Sequence, residues 1–156
     1  MGDCRLYHES LVVKKGGTAV AKYLSASEMN KCIGCFTCMN ICSIVNKQNH
    51  SNTKSAIKVR TRGGMTGRFV AIVCIACDDP ACMEACPSGA LVKREGGGVL
   101  LKPELCIGCH RCEKACIMQA VFWDDDINKP IICRHCGSCA RFCPHKCLEM
   151  VEAGEK

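Results

Sequence analysis

Cys106-Ile107-Gly108-Cys109-His110-Arg111-Cys112-Glu113-Lys114-Ala115-Cys116 puts four thiols into eleven residues, spaced Cys-x2-Cys-x2-Cys-x3-Cys. Reading outward from it, the same spacing recurs at Cys32, Cys35, Cys38 and Cys42, and again at Cys133, Cys136, Cys139 and Cys143. A further quartet, Cys74, Cys77, Cys82 and Cys86, differs only in having four residues between its middle members. Pro87 and Pro144 follow the last cysteine of two quartets, whereas Ser43 and Ile117 stand in that place in the other two. A repeat of this kind organises the sequence before any secondary structure is assigned.

The spacing carries its own chemistry. Two intervening residues let a loop turn back so that neighbouring thiolates reach neighbouring irons of one cubane, while the last cysteine points to a second cluster. Sixteen cysteines are thereby candidate ligands of four [4Fe–4S] clusters. Zinc knuckles also use Cys-x2-Cys, but structural zinc sites separate their two knuckles by longer stretches of chain. Disulfides predict a secretory leader. The opening Met1-Gly2-Asp3-Cys4-Arg5-Leu6-Tyr7-His8-Glu9 is polar and mixed, which points to a cytoplasmic chain with reduced thiols and no membrane insertion.

Composition agrees with metal-assisted folding. Eighteen cysteines among 156 residues stand against four Phe, two Tyr and one Trp, and small domains short of apolar bulk commonly lean on metals. The formal charge of +6 suggests a nucleic-acid partner only while cysteines are counted as neutral. Sixteen thiolates around four oxidised cores bring it to about −2, which removes the case for nucleic acid. Charge is nevertheless uneven: no Asp or Glu occurs from Met29 to Cys77, where Lys31, Lys47, Lys54, Lys58, Arg60, Arg62 and Arg68 all lie. These cations either offset cluster charge and face water, or dock an acidic partner.

Between the quartets the pattern turns to short β-prone pieces. Ala90–Leu101 surrounds Gly96-Gly97-Gly98, Val121–Trp123 and Pro130–Ile132 flank an Asp-rich turn, and Ala56–Arg60 and Arg68–Val73 flank Gly63-Gly64 and Gly67. Each reads as a hairpin. With short helices placed after the quartets, each starting near a fourth cysteine, the fold class is α+β with much loop. Cys147 falls in the slot that Ala90 and Ala120 occupy after their quartets, which suits a small packed side chain; Cys4 has no such context.

On these residues the chain resembles the four-cluster ferredoxin subunits of multi-subunit oxidoreductases. The most telling stretch is Cys74-Ile75-Ala76-Cys77-Asp78-Asp79-Pro80-Ala81-Cys82-Met83-Glu84-Ala85-Cys86-Pro87-Ser88-Gly89-Ala90. The resemblance implies a duplicated bacterial ferredoxin-like fold over residues 30–151, between an N-terminal extension at 1–29 and a tail at 152–156. It implies two interleaved modules, quartets 2 and 3 in one and quartets 1 and 4 in the other. One cluster would take Cys74, Cys77, Cys82 and Cys116, and its neighbour Cys106, Cys109, Cys112 and Cys86. The other pair would use Cys32, Cys35 and Cys38 with Cys143, and Cys133, Cys136 and Cys139 with Cys42. Spacing by itself equally allows quartet 3 to pair with quartet 4.

The same resemblance implies electron transfer between a catalytic subunit and a second redox partner. Tungsten or molybdenum pterin enzymes of the aldehyde-oxidoreductase type lead the candidates for the first, and a flavin subunit is one for the second. A free polyferredoxin and a subunit of a hydrogenase or carbon monoxide dehydrogenase are the alternatives. No phosphate loop, nucleotide fingerprint or open zinc motif stands in the sequence, so no active site is expected. A wire with two free ends also allows contacts between copies. Lys31, His110, Arg111, Arg134, His135 and Arg141 lie beside ligands, where a positive charge raises a nearby potential.

Overall fold

A computed structural model of the chain describes residues 22–63 and 67–152. Cys4 and most of the N-terminal extension lie outside these. The described residues form four two-stranded antiparallel sheets and four helices, too little regular structure to stand without a shared centre.

Strand β1 (Lys22–Ser25) pairs with β8 (Glu149–Glu152), Leu24 opposite Met150. Strands β2 (Lys58–Thr61) and β3 (Phe69–Ile72), β4 (Leu91–Lys93) and β5 (Val99–Leu101), and β6 (Phe122–Asp124) and β7 (Lys129–Ile131) make the three expected hairpins. The β1–β8 pair was not legible beforehand. It joins segments from opposite ends of the chain and buries Leu24 to 2 % exposure, so the packed region reaches back to Lys22 rather than to residue 30.

The helices correct one expectation. Helices α1 (Thr37–Lys47), α2 (Ala81–Glu84), α3 (Arg111–Ala115) and α4 (Ser138–Arg141) do not follow the quartets; each contains the third cysteine of one. In α2, α3 and α4 the chain leaves the helix before Cys86, Cys116 and Cys143, so the fourth cysteine lies past a helix end rather than at its start. Pro87 and Pro144 disfavour helical backbone at the preceding residue. Where Ser43 replaces proline, α1 runs on to Lys47. Ser43 is fully buried, and its hydroxyl donates to the carbonyls of Asn49 and Ser51 at 2.6 and 2.8 Å, which latches the returning chain against the helix.

Helix α1 packs on α4, and α2 on α3. Two cores result. One gathers Leu24, Met39, Ile57, Val59, Val73, Ile131 and Leu148 with Cys38, Cys42, Cys133 and Cys139; the other gathers Leu91, Val99 and Val121 with Cys112.

The modules are also held by charge. Asp124, 4 % exposed at the end of β6, accepts from Lys54 at 2.7 Å and lies 3.2 Å from Lys47. Burial pushes its carboxyl up, but the two lysines outweigh this and hold it below the ordinary aspartate value of 3.8. Its stabilisation is therefore present at neutral pH and is lost as pH falls below that value. Asp124→Asn is expected to cost about 2 kcal/mol, read as a lower denaturant midpoint at pH 7, with the gap from the wild type closing only as pH falls below 3.8.

Candidate functional site

The quartets share a backbone signature. The second residue after each first cysteine has positive φ: Gly34 at 72°, Ala76 at 53°, Gly108 at 70° and His135 at 53°. Three quartets repeat this after the second cysteine, at Phe36, His110 and Gly137. Left-handed residues reverse the chain within two positions and aim successive side chains inward. Gly108 is needed for a second reason, since a Cβ there would lie 2.4 Å from the Asn128 side chain.

The thiols converge in four sets. Burial, then the nearby charges of Cys143, Cys35 and Cys32, push Cys38 up to about 11. Cys82 rises to about 11 by burial and then chiefly by Cys116 and Cys74. Cys112 does so by burial and then by Cys86, Cys106 and Cys109. Cys133 rises to about 12 by burial and then by Cys42, Cys74 and Cys136, and Cys139 is pushed up by burial and then by Cys133, Cys42 and Cys136. In each set, three cysteines of one quartet lie near the fourth cysteine of another: Cys143 near quartet 1, Cys42 near quartet 4, Cys116 near quartet 2 and Cys86 near quartet 3. Pockets lie within three sets, lined respectively by Cys32, Cys35, Cys38 and Cys143 together with Cys147, by Cys42, Cys133, Cys136 and Cys139, and by Cys86, Cys106, Cys109 and Cys112.

Three observations test whether these residues fit an iron–sulfur cubane. Four thiolates so placed repel one another in a partly dry interior and require a cationic core between them. The thiols stand around a space instead of meeting at a point. Tetrahedral zinc draws its sulfurs to about 3.8 Å of each other, and among the described residues no three His, Cys, Asp or Glu side chains are placed to hold a single ion. Backbone N–H groups also aim at sulfur: Ala120 at Cys116 (3.4 Å), Cys147 at Cys143 (3.3 Å) and His135 at Cys133 (3.4 Å). Such donors stabilise cluster thiolates. The donor sets fit four [4Fe–4S] clusters.

Ala90, Ala120 and Cys147 are buried alike, exposed by 1, 1 and 3 %, and Cys147 also lines the cavity of the first set, its thiol against those of Cys143 and Cys32. Quartet 1 lacks the slot in sequence, yet Ala56, from the loop after α1, donates its N–H to Cys42 at 3.4 Å. Sequence spacing hid this donor because it comes 14 residues later. Of the cations noted beside the ligands, Lys31 pairs with Glu28, and His110 stacks on Trp123 at 3.6 Å and pairs with Glu113. Arg111, Arg134 and Arg141 are exposed. His135 is buried, and its Nδ1 accepts from the Leu24 N–H at 3.0 Å.

The sets act on one another in series: Cys139 feels Cys38, Cys133 feels Cys74, and Cys82 feels Cys112. In that series the Cys32 set comes first and the Cys106 set last. Cys35 and Cys109, one in each end set, are the two exposed thiols among the described cysteines. Among the described residues no helix is long and apolar enough to cross a membrane.

Comparison with known proteins agrees. The "4Fe-4S dicluster domain" family model matches residues 65–154, and a "4Fe-4S binding domain" model matches 29–48. A tetrathionate reductase subunit of Archaeoglobus fulgidus is 34% identical over 119 residues, covering 73% of this chain and 56% of that protein. An uncharacterized ferredoxin of Methanocaldococcus jannaschii is 32% identical over 125 residues, covering 80% and 69%. One of the chains of the anaerobic dimethyl sulfoxide reductase of Escherichia coli is 34% identical over 90 residues, covering 52% and 44%. The present sequence thus spans about half the length of the reductase subunits it matches. A solved structure, from the active site complex BamBC of benzoyl coenzyme A reductase, aligns with a TM-score of 0.47 at 19% identity, covering 85% of this chain and 79% of that one. Quartet spacing, thiol geometry and a family model that takes in more than half of its residues agree: the chain is a member of the 4Fe-4S dicluster ferredoxin family.

Proposed function

We propose that the chain conducts electrons in the cytoplasm as the iron–sulfur subunit of a multi-subunit oxidoreductase. In this reading it links a tungsten or molybdenum pterin subunit of the aldehyde-oxidoreductase type to a second redox partner such as a flavin subunit, and has no active site of its own. The observation that carries the reading is the series of four interacting cysteine sets whose first and last members each hold one exposed thiol, Cys35 or Cys109. Each cluster, when bound, accepts and releases one electron. All sixteen quartet cysteines serve as ligands in this scheme, with fourth cysteines exchanged between quartets 1 and 4 and between 2 and 3. The relatives named as reductase subunits support a partnered role.

The basic stretch divides between two tasks. Lys47 and Lys54 are held by Asp124, and Lys58 donates to the carbonyls of Asn52 and Thr53. Arg60, Arg62 and Arg68 are exposed on the β2–β3 hairpin. That hairpin rests on quartet 1: the Phe69 ring occupies the space a Cβ on Gly34 would need, and it meets Phe36 edge-on with centroids 6.4 Å apart. The Cys35 end is thereby rimmed with positive charge and suits an acidic partner. Reversing all three arginines to Glu is expected to slow oxidation of the reduced protein by ferricyanide about tenfold at low salt and to quicken oxidation by hexaammineruthenium(III). Stopped-flow absorbance at two ionic strengths checks both.

The test of the function is metal analysis of the native complex purified without oxygen. About sixteen irons per chain together with tungsten or molybdenum are expected. Iron without a second redox metal would favour a free polyferredoxin, and zinc in place of iron would overturn the reading.

A further inference from the structure

The two modules meet at a junction that the quartets themselves do not supply. Between β4 and β5 the chain turns through Gly96, Gly97 and Gly98, all with positive φ. The turn lies against the quartet 2 loop: the Gly98 N–H donates to the Cys77 carbonyl at 2.9 Å, and a Cβ on Gly97 would lie 2.3 Å from the Ala76 carbonyl oxygen. It also touches the quartet 4 loop, since a Cβ on Gly98 would stand 3.4 Å from His135 Nε2. Strand β1 closes the junction through the bond from Leu24 to His135.

Arg94 opens this turn and is half-buried in it. Its Nε donates to the Gly97 carbonyl at 3.0 Å and an Nη to the Lys22 carbonyl at 3.1 Å, so the guanidinium is pinned between the turn and β1. The thiol charges that act on it are those of Cys133 and Cys74, which belong to the two central sets and to different modules. A cation fixed between two electron-accepting groups lowers the energy of an added electron on either one.

We propose that Arg94 is a positioning residue for electron passage between the modules, a single cation shared by the two central cysteine sets that raises the potentials of both clusters relative to the end pair. The inference rests on the electron-conduit reading. The passage it assists is a one-electron exchange: one central cluster is oxidised as the other is reduced, no bond forms or breaks, and no proton moves. Burial pulls the guanidinium below its ordinary value while the two thiolates pull it up, and arginine stays charged throughout.

The test is a redox titration of the loaded protein followed by electron paramagnetic resonance, on wild type, Arg94→Gln and Arg94→Lys. Arg94→Gln is expected to move two of the four midpoints to more negative values and leave two in place. Arg94→Lys should move the same two by less. Cys42→Ala and Cys116→Ala, each removing one central cluster in this scheme, assign the pair that moves. Should Arg94→Gln fail to retain wild-type iron, Arg94→Met, which keeps the apolar stem, carries the same comparison. Four unchanged midpoints, a uniform shift of all four, or a shift confined to the end pair would each overturn the proposal. A wild-type protein without four clusters would instead overturn the conduit reading beneath it, and the iron count reports that separately.

Discussion

Stripping iron from the protein is expected to abolish its fold, not merely its colour. The described helices other than α1 have four or five residues, and the sheets are two-stranded with three or four residues per strand. Elements this short do not hold in water by themselves. The larger core counts Cys38, Cys42, Cys133 and Cys139 among its buried members, so its centre is where the clusters go. In the folded arrangement without them, burial pushes Cys38 up to about 11 and Cys133 up to about 12, so these thiols are protonated at neutral pH and the cavities lose their filling. Far-UV circular dichroism after anaerobic chelation should show loss of cooperative melting, with recovery only when iron, sulfide and thiol are returned together. A metal-free chain that still melts cooperatively would contradict this account. Cluster loading should weaken as pH falls, because protons compete for the same sulfurs.

The second large effect is a non-additive pair of substitutions. Cys82 and Cys116 lie in different quartets, but their charges act on each other and the structure places them in one set. Cys82→Ala and Cys116→Ala should each remove about four irons per chain, and the double variant should again remove about four. If quartet 3 exchanged its last cysteine with quartet 4, the double variant would remove about eight. Cys139→Ala with Cys42→Ala gives the same test for the other module, where Cys42 and Cys139 line one cavity. Iron and acid-labile sulfide per chain, measured on protein reconstituted under identical conditions, separate the two exchange schemes.

The chemistry was open to reading from one dimension because ligand spacing is local. A Cys-x2-Cys loop has the same geometric consequence wherever it lies, so quartets, cluster type and hairpins such as β4–β5 could be read from neighbouring residues. Aligning three quartets put Cys147 level with Ala90 and Ala120, and all three are buried. Asp124 was read as part of a polar turn; it is a buried partner of Lys47 and Lys54. No local pattern marks a carboxylate that will be enclosed by lysines from 70 or more residues earlier.

Sequence by itself determined that this is a four-quartet iron–sulfur chain of α+β type, because the thiol spacing and the glycine turns act within a few residues of themselves. Tertiary structure decided which fourth cysteine lies beside which quartet, that Ala56 replaces the missing donor at Cys42, that β1 reaches across to β8, and that the turn Arg94 opens lies against the quartet 2 and quartet 4 loops. Each of these joins residues far apart in the chain through contacts that form only when the helices α1 and α4, and α2 and α3, close on their shared centres. Closure of long loops is governed by the packing they reach, not by the residues they contain.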